Sequence, residues 1–77
     1  MELNIKYFGI LAELTGCNEE QLSFSSGKVS DLLDVILKKY PALKNKDFKI
    51  AQNKRLIGIE TAVDGTEIAL LPPFSGG

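Results

Sequence analysis

The sequence predicts an α+β fold in which a mixed β-sheet packs against one main helix. Five short segments have the apolar side chains typical of β-strands, and in most of these segments apolar and polar residues alternate. These predicted strands are residues 2–8, 21–24, 48–53, 56–59 and 66–71. Residues 29–40 instead repeat apolar side chains at helical spacing. One core is expected, because 77 residues carry too little apolar material for a second.

The first half of the chain supplies two strands and a short helical segment. The first strand places Leu3, Ile5 and Tyr7 on one face. Gly9 interrupts it, and residues 10–14 form a turn or helical piece that Gly16 closes. The second strand, with Leu22 and Phe24 pointing inward, ends in the turn Ser25-Ser26-Gly27.

The main helix is predicted from a single apolar face. Its members are Val29, Leu32, Leu33, Ile36, Leu37 and Tyr40. Asp31 and Asp34 towards the N-terminus and Lys38 and Lys39 towards the C-terminus complement the helix dipole. Pro41 ends the helix because it has no backbone donor, and residues 44–47 form a polar link to the third strand.

The second half of the chain supplies three strands. Asn53-Lys54-Arg55 is a predicted turn between the third and fourth strands, and Asp64-Gly65 is a tight-turn signal before the fifth. In the fifth strand Ile68 and Leu70 face the core, whereas Ala69 and Leu71 face the opposite way. The resulting order, β-β-α-β-β-β, implies a mixed sheet.

Composition excludes several classes of function. The net charge is −1 and the pI is about 5.3, which argues against nucleic acid or an anionic membrane as a partner. No apolar run approaches the roughly 20 residues that span a bilayer. A strand-like start predicts no signal peptide, and a single cysteine fits a reducing compartment. A cytoplasmic protein is therefore expected.

Conventional catalytic side chains are scarce. The chain has no histidine, which is the commonest general base and the commonest metal ligand in proteins. No metal site is therefore expected. Cys17 has no histidine or second cysteine beside it, which favours a structural or incidental residue over a redox-active or sulfur-accepting one. Glu13, Glu19 and Glu20 are expected to be exposed charges.

The segment Pro72-Pro73-Phe74-Ser75-Gly76-Gly77 is the most informative part of the sequence. Two prolines cannot continue a central strand, so the segment should leave the sheet as a stiff stalk reaching roughly 20 Å. Phe74 on this arm is an expected anchor for a partner. Gly76 and Gly77 lack a Cβ and could enter a narrow channel. The alternative is a flexible terminus or a truncation.

The terminal carboxylate of Gly77 is the expected reacting group. An unactivated carboxylate is a poor acyl donor, so an ATP-dependent enzyme would first have to adenylate it. A sulfur or nitrogen nucleophile could then displace AMP. Phe8, Leu56 and Leu71 are expected to form an apolar patch at the base of the tail, because Leu71 points away from the core and Leu56 lies in a polar run. The alternative is that all three complete the core.

These residues carry a family resemblance that covers the whole chain. The segment Leu70 to Gly77 reads Leu-Leu-Pro-Pro-Phe-Ser-Gly-Gly and follows Asp-Gly-Thr-Glu-Ile-Ala at residues 64–69. Tyr7-Phe8-Gly9, the run Leu11 to Gly16, and Ala51-Gln52-Asn53 also match. The chain resembles the small subunit of molybdopterin synthase, the MoaD family. Gln52 and Thr66 depart from the family's aliphatic and acidic residues, and both are expected at surface or turn positions.

The resemblance implies a ubiquitin-like β-grasp domain at residues 1–71 and an extended tail at residues 72–77. It implies a sulfur carrier with no bound cofactor that is not an enzyme on its own. A MoeB-like enzyme would adenylate Gly77 with ATP, and a sulfur donor system would then convert it to a thiocarboxylate. A MoaE-like large subunit would accept the tail, in a heterotetramer of two small and two large subunits. Sulfur would pass there to cyclic pyranopterin monophosphate, two sulfurs per molybdopterin.

The sequence pattern and the resemblance together assign the site residues. Gly77, with Gly76, carries the chemistry, and the expected partner-binding residues are Phe8, Leu56, Leu71, Pro72, Pro73, Phe74 and Ser75. Three alternatives stay open: a sulfur carrier for thiamin thiazole synthesis or another thiolation, a ubiquitin-like modifier joined to lysines, and an interaction module with an inert tail. The thiazole carriers tend to be shorter and lack the Pro-Pro-aromatic lead-in.

Overall fold

A computed structural model describes residues 1–73 of the chain. It contains, in chain order, strand β1 (Glu2–Tyr7), helix α1 (Ile10–Thr15), strand β2 (Glu19–Ser23), helix α2 (Val29–Lys39), a 3-10 helix (Pro41–Asn45) and strands β3 (Lys49–Gln52), β4 (Arg55–Ile57) and β5 (Glu67–Leu71). All the predicted elements are present. The polar link after α2 is partly a 3-10 helix that Pro41 starts, since proline suits the first helical position.

The strands form one five-stranded sheet in the order β2-β1-β5-β3-β4. Strands β1 and β5 are parallel neighbours, whereas the other pairs are antiparallel, so the sheet is mixed as predicted. The register pairs Tyr7 with Leu70, and the Phe8 amide donates to the Leu70 carbonyl at 3.2 Å. The chain therefore leaves the sheet at the end of its central strand, β5, directly beside Phe8.

Helix α2 covers one face of this sheet, and the core lies between them. The fully buried side chains of the core include Leu3, Ile5, Ile68 and Leu70 from the strands and Val29, Leu32 and Ile36 from α2. Burial of each such aliphatic side chain contributes about 1.5–3 kcal/mol. The predicted inward faces of β1, α2 and β5 are thus confirmed, and Phe24, just past β2, is also buried.

Glu20 is not the exposed charge that the sequence suggested. Its side chain is only 16% exposed, because the register pairs it with Ile5 on the core side of the sheet. The Glu20 carboxylate accepts hydrogen bonds from the hydroxyls of Tyr7 at 2.6 Å and Tyr40 at 2.8 Å. Lys39 Nζ donates to it as well, at 2.6 Å. This cluster fastens the C-terminal end of α2 to strands β1 and β2.

The Glu20 cluster makes the stability of the fold depend on pH. Desolvation favours the neutral acid, but hydrogen bonds from Lys39, Tyr7 and Tyr40 outweigh it and lower the pKa of Glu20. A carboxyl group with a depressed folded-state pKa stabilises the fold above its unfolded pKa, about 4.3 for glutamate. That contribution is lost as the pH falls through the folded-state pKa. Burial and, second, the hydrogen bond to Glu20 raise the pKa of Tyr7. The stabilisation that accompanies this raised pKa is present below the unfolded-state value of about 10 and is lost as the pH rises above it.

Glu20→Gln is expected to flatten the acid limb of the stability curve. Urea unfolding between about pH 5 and pH 3 should show a steeper loss of unfolding free energy in the wild type than in the variant. Glu19→Gln is the matched control, because Glu19 is the exposed neighbour of Glu20 and its carboxylate accepts a hydrogen bond from the Asn4 side chain instead of from the tyrosines or Lys39. Equal slopes for the wild type and Glu20→Gln would contradict the prediction.

Candidate partner-binding site

The sheet face opposite α2 carries a cavity of about 440 Å³, here called the outer-face pocket. Its floor is the cross-strand pair Ala51 and Ala69, which lie opposite each other in β3 and β5. Two small side chains at the centre of a sheet face leave a hollow between larger neighbours. The lining residues are Lys6, Phe8, Lys49, Ala51, Lys54, Leu56, Glu67, Ala69 and Leu71.

The structure brings Phe8, Leu56 and Leu71 together as the apolar walls of this pocket. Phe8 is 44% exposed and Leu56 is 64% exposed, while Leu71 is half-buried. None of the three belongs to the core on the opposite face. Leu56 is exposed because β4 is an edge strand and its outward side chain has no further strand beside it. Exposed apolar side chains grouped in one hollow are typical of a protein-binding surface.

Charged side chains form the rim of the outer-face pocket. Lys6 Nζ lies 3.1 Å from Glu67 Oε1, and both side chains are partly exposed. An ion pair of this kind contributes about 0–1 kcal/mol. Lys49 and Lys54 complete the rim, and both are exposed. The pocket thus combines an apolar floor and walls with a mainly basic border.

The base of the tail lies against the turn that follows β1. Strand β5 ends at Leu71, Pro72 is half-buried and Pro73 is exposed. Gly9 has φ of +60°, and a Cβ placed on it would lie 2.8 Å from Pro72 Cγ. A glycine is required here both by the backbone angle and by the close approach of Pro72. The predicted site residues Phe74, Ser75, Gly76 and Gly77 lie outside the described residues.

Gly9→Ala is expected to destabilise the fold and to displace Pro72. Gly9 has ψ of −134°, so it lies outside the left-handed helical region in a conformation that residues other than glycine rarely adopt, at a cost of about 1–3 kcal/mol. The added methyl group also forces Pro72 to move. A lowered melting temperature by circular dichroism would be the readout. Gly58→Ala is the control, because no atom lies within 4 Å of a Cβ built at Gly58. The same melting temperature for Gly9→Ala as for the wild type would count against a tail fixed at this point.

Gln52 was missed as a structural residue, and the expectation of a surface or turn position for it is wrong. It is only 8% exposed, on the core side of the sheet, where the register pairs it with Ile68. Its Oε1 accepts from the amides of Asp64 at 2.9 Å and Gly65 at 3.0 Å. Its Nε2 donates to the Ala62 carbonyl at 3.2 Å. Gln52 therefore satisfies the backbone of the loop that leads into β5.

Within residues 1–73, the remaining residues that the sequence singled out, Thr66 and Cys17, do not lie together. Thr66 is exposed, as expected. Cys17 is half-buried against the core, with its Sγ 3.8 Å from the Thr15 hydroxyl and 3.9 Å from that of Tyr40. Within residues 1–73, no three acidic, cysteine or histidine side chains are grouped as metal ligands would be. No helix in that part of the chain is long and apolar enough to cross a bilayer.

A mixed sheet with β1 and β5 parallel at its centre and one main helix across one face is a ubiquitin-like β-grasp fold, which confirms the predicted class. The chain belongs to the ThiS family, whose model matches residues 5–77. It is 34% identical to the molybdopterin synthase sulfur carrier subunit of Chlamydomonas reinhardtii, over 100% of both chains. The predicted resemblance to molybdopterin synthase small subunits is thereby confirmed.

Solved structures show the same similarity. The small archaeal modifier protein SAMP1 from Haloferax volcanii superposes with a TM-score of 0.84 at 27% identity, covering 100% of both chains. A chain from the complex of subunits 1 and 2 of molybdopterin-converting factor from Helicobacter pylori gives a TM-score of 0.68 at 28% identity, also over 100% of both chains.

Proposed function

We propose that this chain is the sulfur carrier subunit of a molybdopterin synthase and that its Gly77 carboxylate carries the sulfur. The observation that carries the proposal is the position of the outer-face pocket. Its walls, Phe8 and Leu71, lie where β5 gives way to Pro72. A partner seated on this pocket would therefore be beside the start of the tail. Similarity to the sulfur carrier subunit of Chlamydomonas reinhardtii supports the same function.

The proposed chemistry takes place in two partners' active sites. In an adenylating enzyme, a Gly77 carboxylate oxygen attacks the α-phosphate of ATP and pyrophosphate leaves, which gives an acyl adenylate. A sulfur nucleophile from a donor system then attacks the acyl carbon and displaces AMP. When that nucleophile is a persulfide, the product is an acyl disulfide. A thiol reductant then attacks the donor's sulfur, the S–S bond breaks, the donor leaves as a mixed disulfide with the reductant, and Gly77 bears a thiocarboxylate. Its sulfur is the nucleophile towards cyclic pyranopterin monophosphate in the large subunit.

The chain itself supplies binding and delivery in this scheme. It has no histidine, and Glu67, the carboxylate that lines the outer-face pocket, is paired with Lys6 at 3.1 Å. The large subunit would contribute the proton transfers and the pterin site. The chain is thus proposed to act as the non-catalytic small subunit of the heterotetramer, in the cytoplasm. The two-subunit complex of the Helicobacter pylori relative supports such an assembly.

Intact-mass spectrometry tests the carrier chemistry directly. The purified chain would be incubated with the adenylating enzyme of the same organism, ATP and a sulfur donor. The expected product has the mass gain of one oxygen replaced by sulfur, and omission of ATP should abolish it. An unchanged mass, with the same enzyme active on an established sulfur carrier, would refute the proposal.

A second candidate is a ubiquitin-like modifier joined through Gly77 to lysines of other proteins. The observation in its favour is the TM-score of 0.84 with the small archaeal modifier protein from Haloferax volcanii. Affinity capture of a tagged chain from cells, followed by peptide sequencing, would detect Gly-Gly remnants on target lysines. Such conjugates would favour the modifier. Rescue of molybdoenzyme activity in a strain lacking its own small subunit would favour molybdopterin synthesis over another thiolation pathway.

A further inference from the structure

The outer-face pocket has a charge opposite in sign to that of the whole chain. The chain has a net charge of −1, whereas three lysines and one glutamate line the pocket. Lys6 and Glu67 neutralise each other across 3.1 Å. Within residues 1–73, Lys49 and Lys54 have no ion-pair partner. Two positive charges are therefore available to whatever covers the pocket.

These two lysines stand on either side of the apolar floor. Lys49 is the first residue of β3, opposite Leu71 in β5, and Lys54 lies beyond the other end of β3. Between them along the strand is Ala51, whose cross-strand partners are Ala69 and Leu56. A side chain that fills the hollow over Ala51 would thus have one ammonium group on each side.

Lys54 occupies a backbone conformation that lysine does not favour. Strands β3 and β4 pair Gln52 with Arg55, so Asn53 and Lys54 form a two-residue hairpin loop. Both have positive φ, +50° and +71°, as in the type I′ turn that prefers Asn-Gly. Asn53 fits this turn, and its Oδ1 also accepts from the Glu67 amide at 3.3 Å. Lys54 stands where glycine is preferred, and such strain is found at functional positions.

We infer that the outer-face pocket binds an acidic surface of the second synthase subunit, in which an apolar side chain enters the hollow and carboxylates beside it pair with Lys49 and Lys54. This inference rests on the proposed function and names the chemistry of the partner surface. The apolar contact supplies most of the affinity, and the lysines steer the encounter and fix the orientation. The strain at Lys54 is retained because glycine would remove one of the two charges.

Charge reversal tests the inference in the complete chain. Association of Lys49→Glu/Lys54→Glu with the second subunit of molybdopterin-converting factor from the same organism would be followed by stopped-flow fluorescence across ionic strength. We expect association about tenfold slower than wild type at low salt, with a weaker or inverted salt dependence. The matched control is Lys44→Glu/Lys46→Glu, which has the same change in net charge but lies outside the pocket. It should associate nearly as fast as wild type.

Lys54→Gly separates binding from folding. Glycine relieves the positive φ, so the melting temperature should rise while association slows, a pair of opposite changes that general damage would not produce. Wild-type association rates for both Lys54→Gly and the double reversal would overturn the inference and leave the proposed function standing. An equal slowing by the Lys44→Glu/Lys46→Glu control would also overturn it. Failure of the wild-type chain to bind the second subunit would refute both.

Discussion

Leu56→Glu is expected to weaken binding to the large synthase subunit by about 100-fold while leaving the domain folded, because an apolar interface contact contributes roughly 2–3 kcal/mol. Leu56 is 64% exposed in the free chain, so its replacement removes little buried area from the fold. In the complex, the new carboxylate would lie beside the apolar floor and lose its hydration. Isothermal titration calorimetry would measure the dissociation constant, and circular dichroism would confirm folding.

Ile59→Glu is the matched control for that experiment. Ile59 is 54% exposed and also lies in the region after β3, but it does not line the outer-face pocket. The same apolar-to-acidic change there should bind with wild-type affinity. If both variants bound normally, the partner would dock elsewhere, and if both failed equally, the loss would reflect general charge or folding effects.

Most of the fold could be predicted because its apolar side chains repeat with clear periods. In β1 the alternation of Leu3, Ile5 and Tyr7 fixes which face is buried, and all three are at most 2% exposed. In α2 the spacing of Val29, Leu32 and Ile36 does the same. These periods depend only on local backbone geometry, so neighbouring residues are enough to read them.

The polar residues of the inner face could not be read in this way. Glu20 and Gln52 both lie in phase with apolar neighbours that face the core, Glu20 with the partly buried Leu22 and Gln52 with the buried Ile50. Alternation alone would have placed them inward, but their polarity argued for the surface. Their burial depends on partners distant in sequence, namely the Tyr40 hydroxyl for Glu20 and the loop amides for Gln52. For the same reason the second strand was predicted to begin at residue 21, whereas β2 begins at Glu19.

The pocket was predictable only in part. Phe8, Leu56 and Leu71 stood out as apolar side chains away from the core, and the structure places all three around one hollow. The hollow itself depends on Ala51 lying opposite Ala69, which is a matter of strand register between distant segments. The positions of Lys49 and Lys54 on either side of it follow from the same register. The role of Lys49 and Lys54 in binding a partner stays a prediction.

Deletion of Gly77 is expected to abolish sulfur transfer without changing stability. Within residues 1–73 the buried core runs from Leu3 to Leu70, and we expect the deletion variant to keep the wild-type melting temperature. The reacting carboxylate, however, moves back by about 3.3–3.6 Å, the length of one extended residue. A misplacement of even 1 Å at a reacting group can reduce the rate about 100-fold. Synthase assays with the activating enzyme, ATP and a sulfur donor would measure the loss.

Two further tail variants separate length from width. Ser75→Ala keeps the chain length and should retain most of the activity, whereas Gly76→Ala keeps the length but adds a methyl group next to the reacting residue. If a narrow channel receives the tail, Gly76→Ala should lose activity, and neither change should lower the melting temperature. Full activity after deletion of Gly77 would exclude its carboxylate as the reacting group. Unfolding of the deletion variant would instead mean that the tail is part of the fold, because only a structural contact could couple Gly77 to the core.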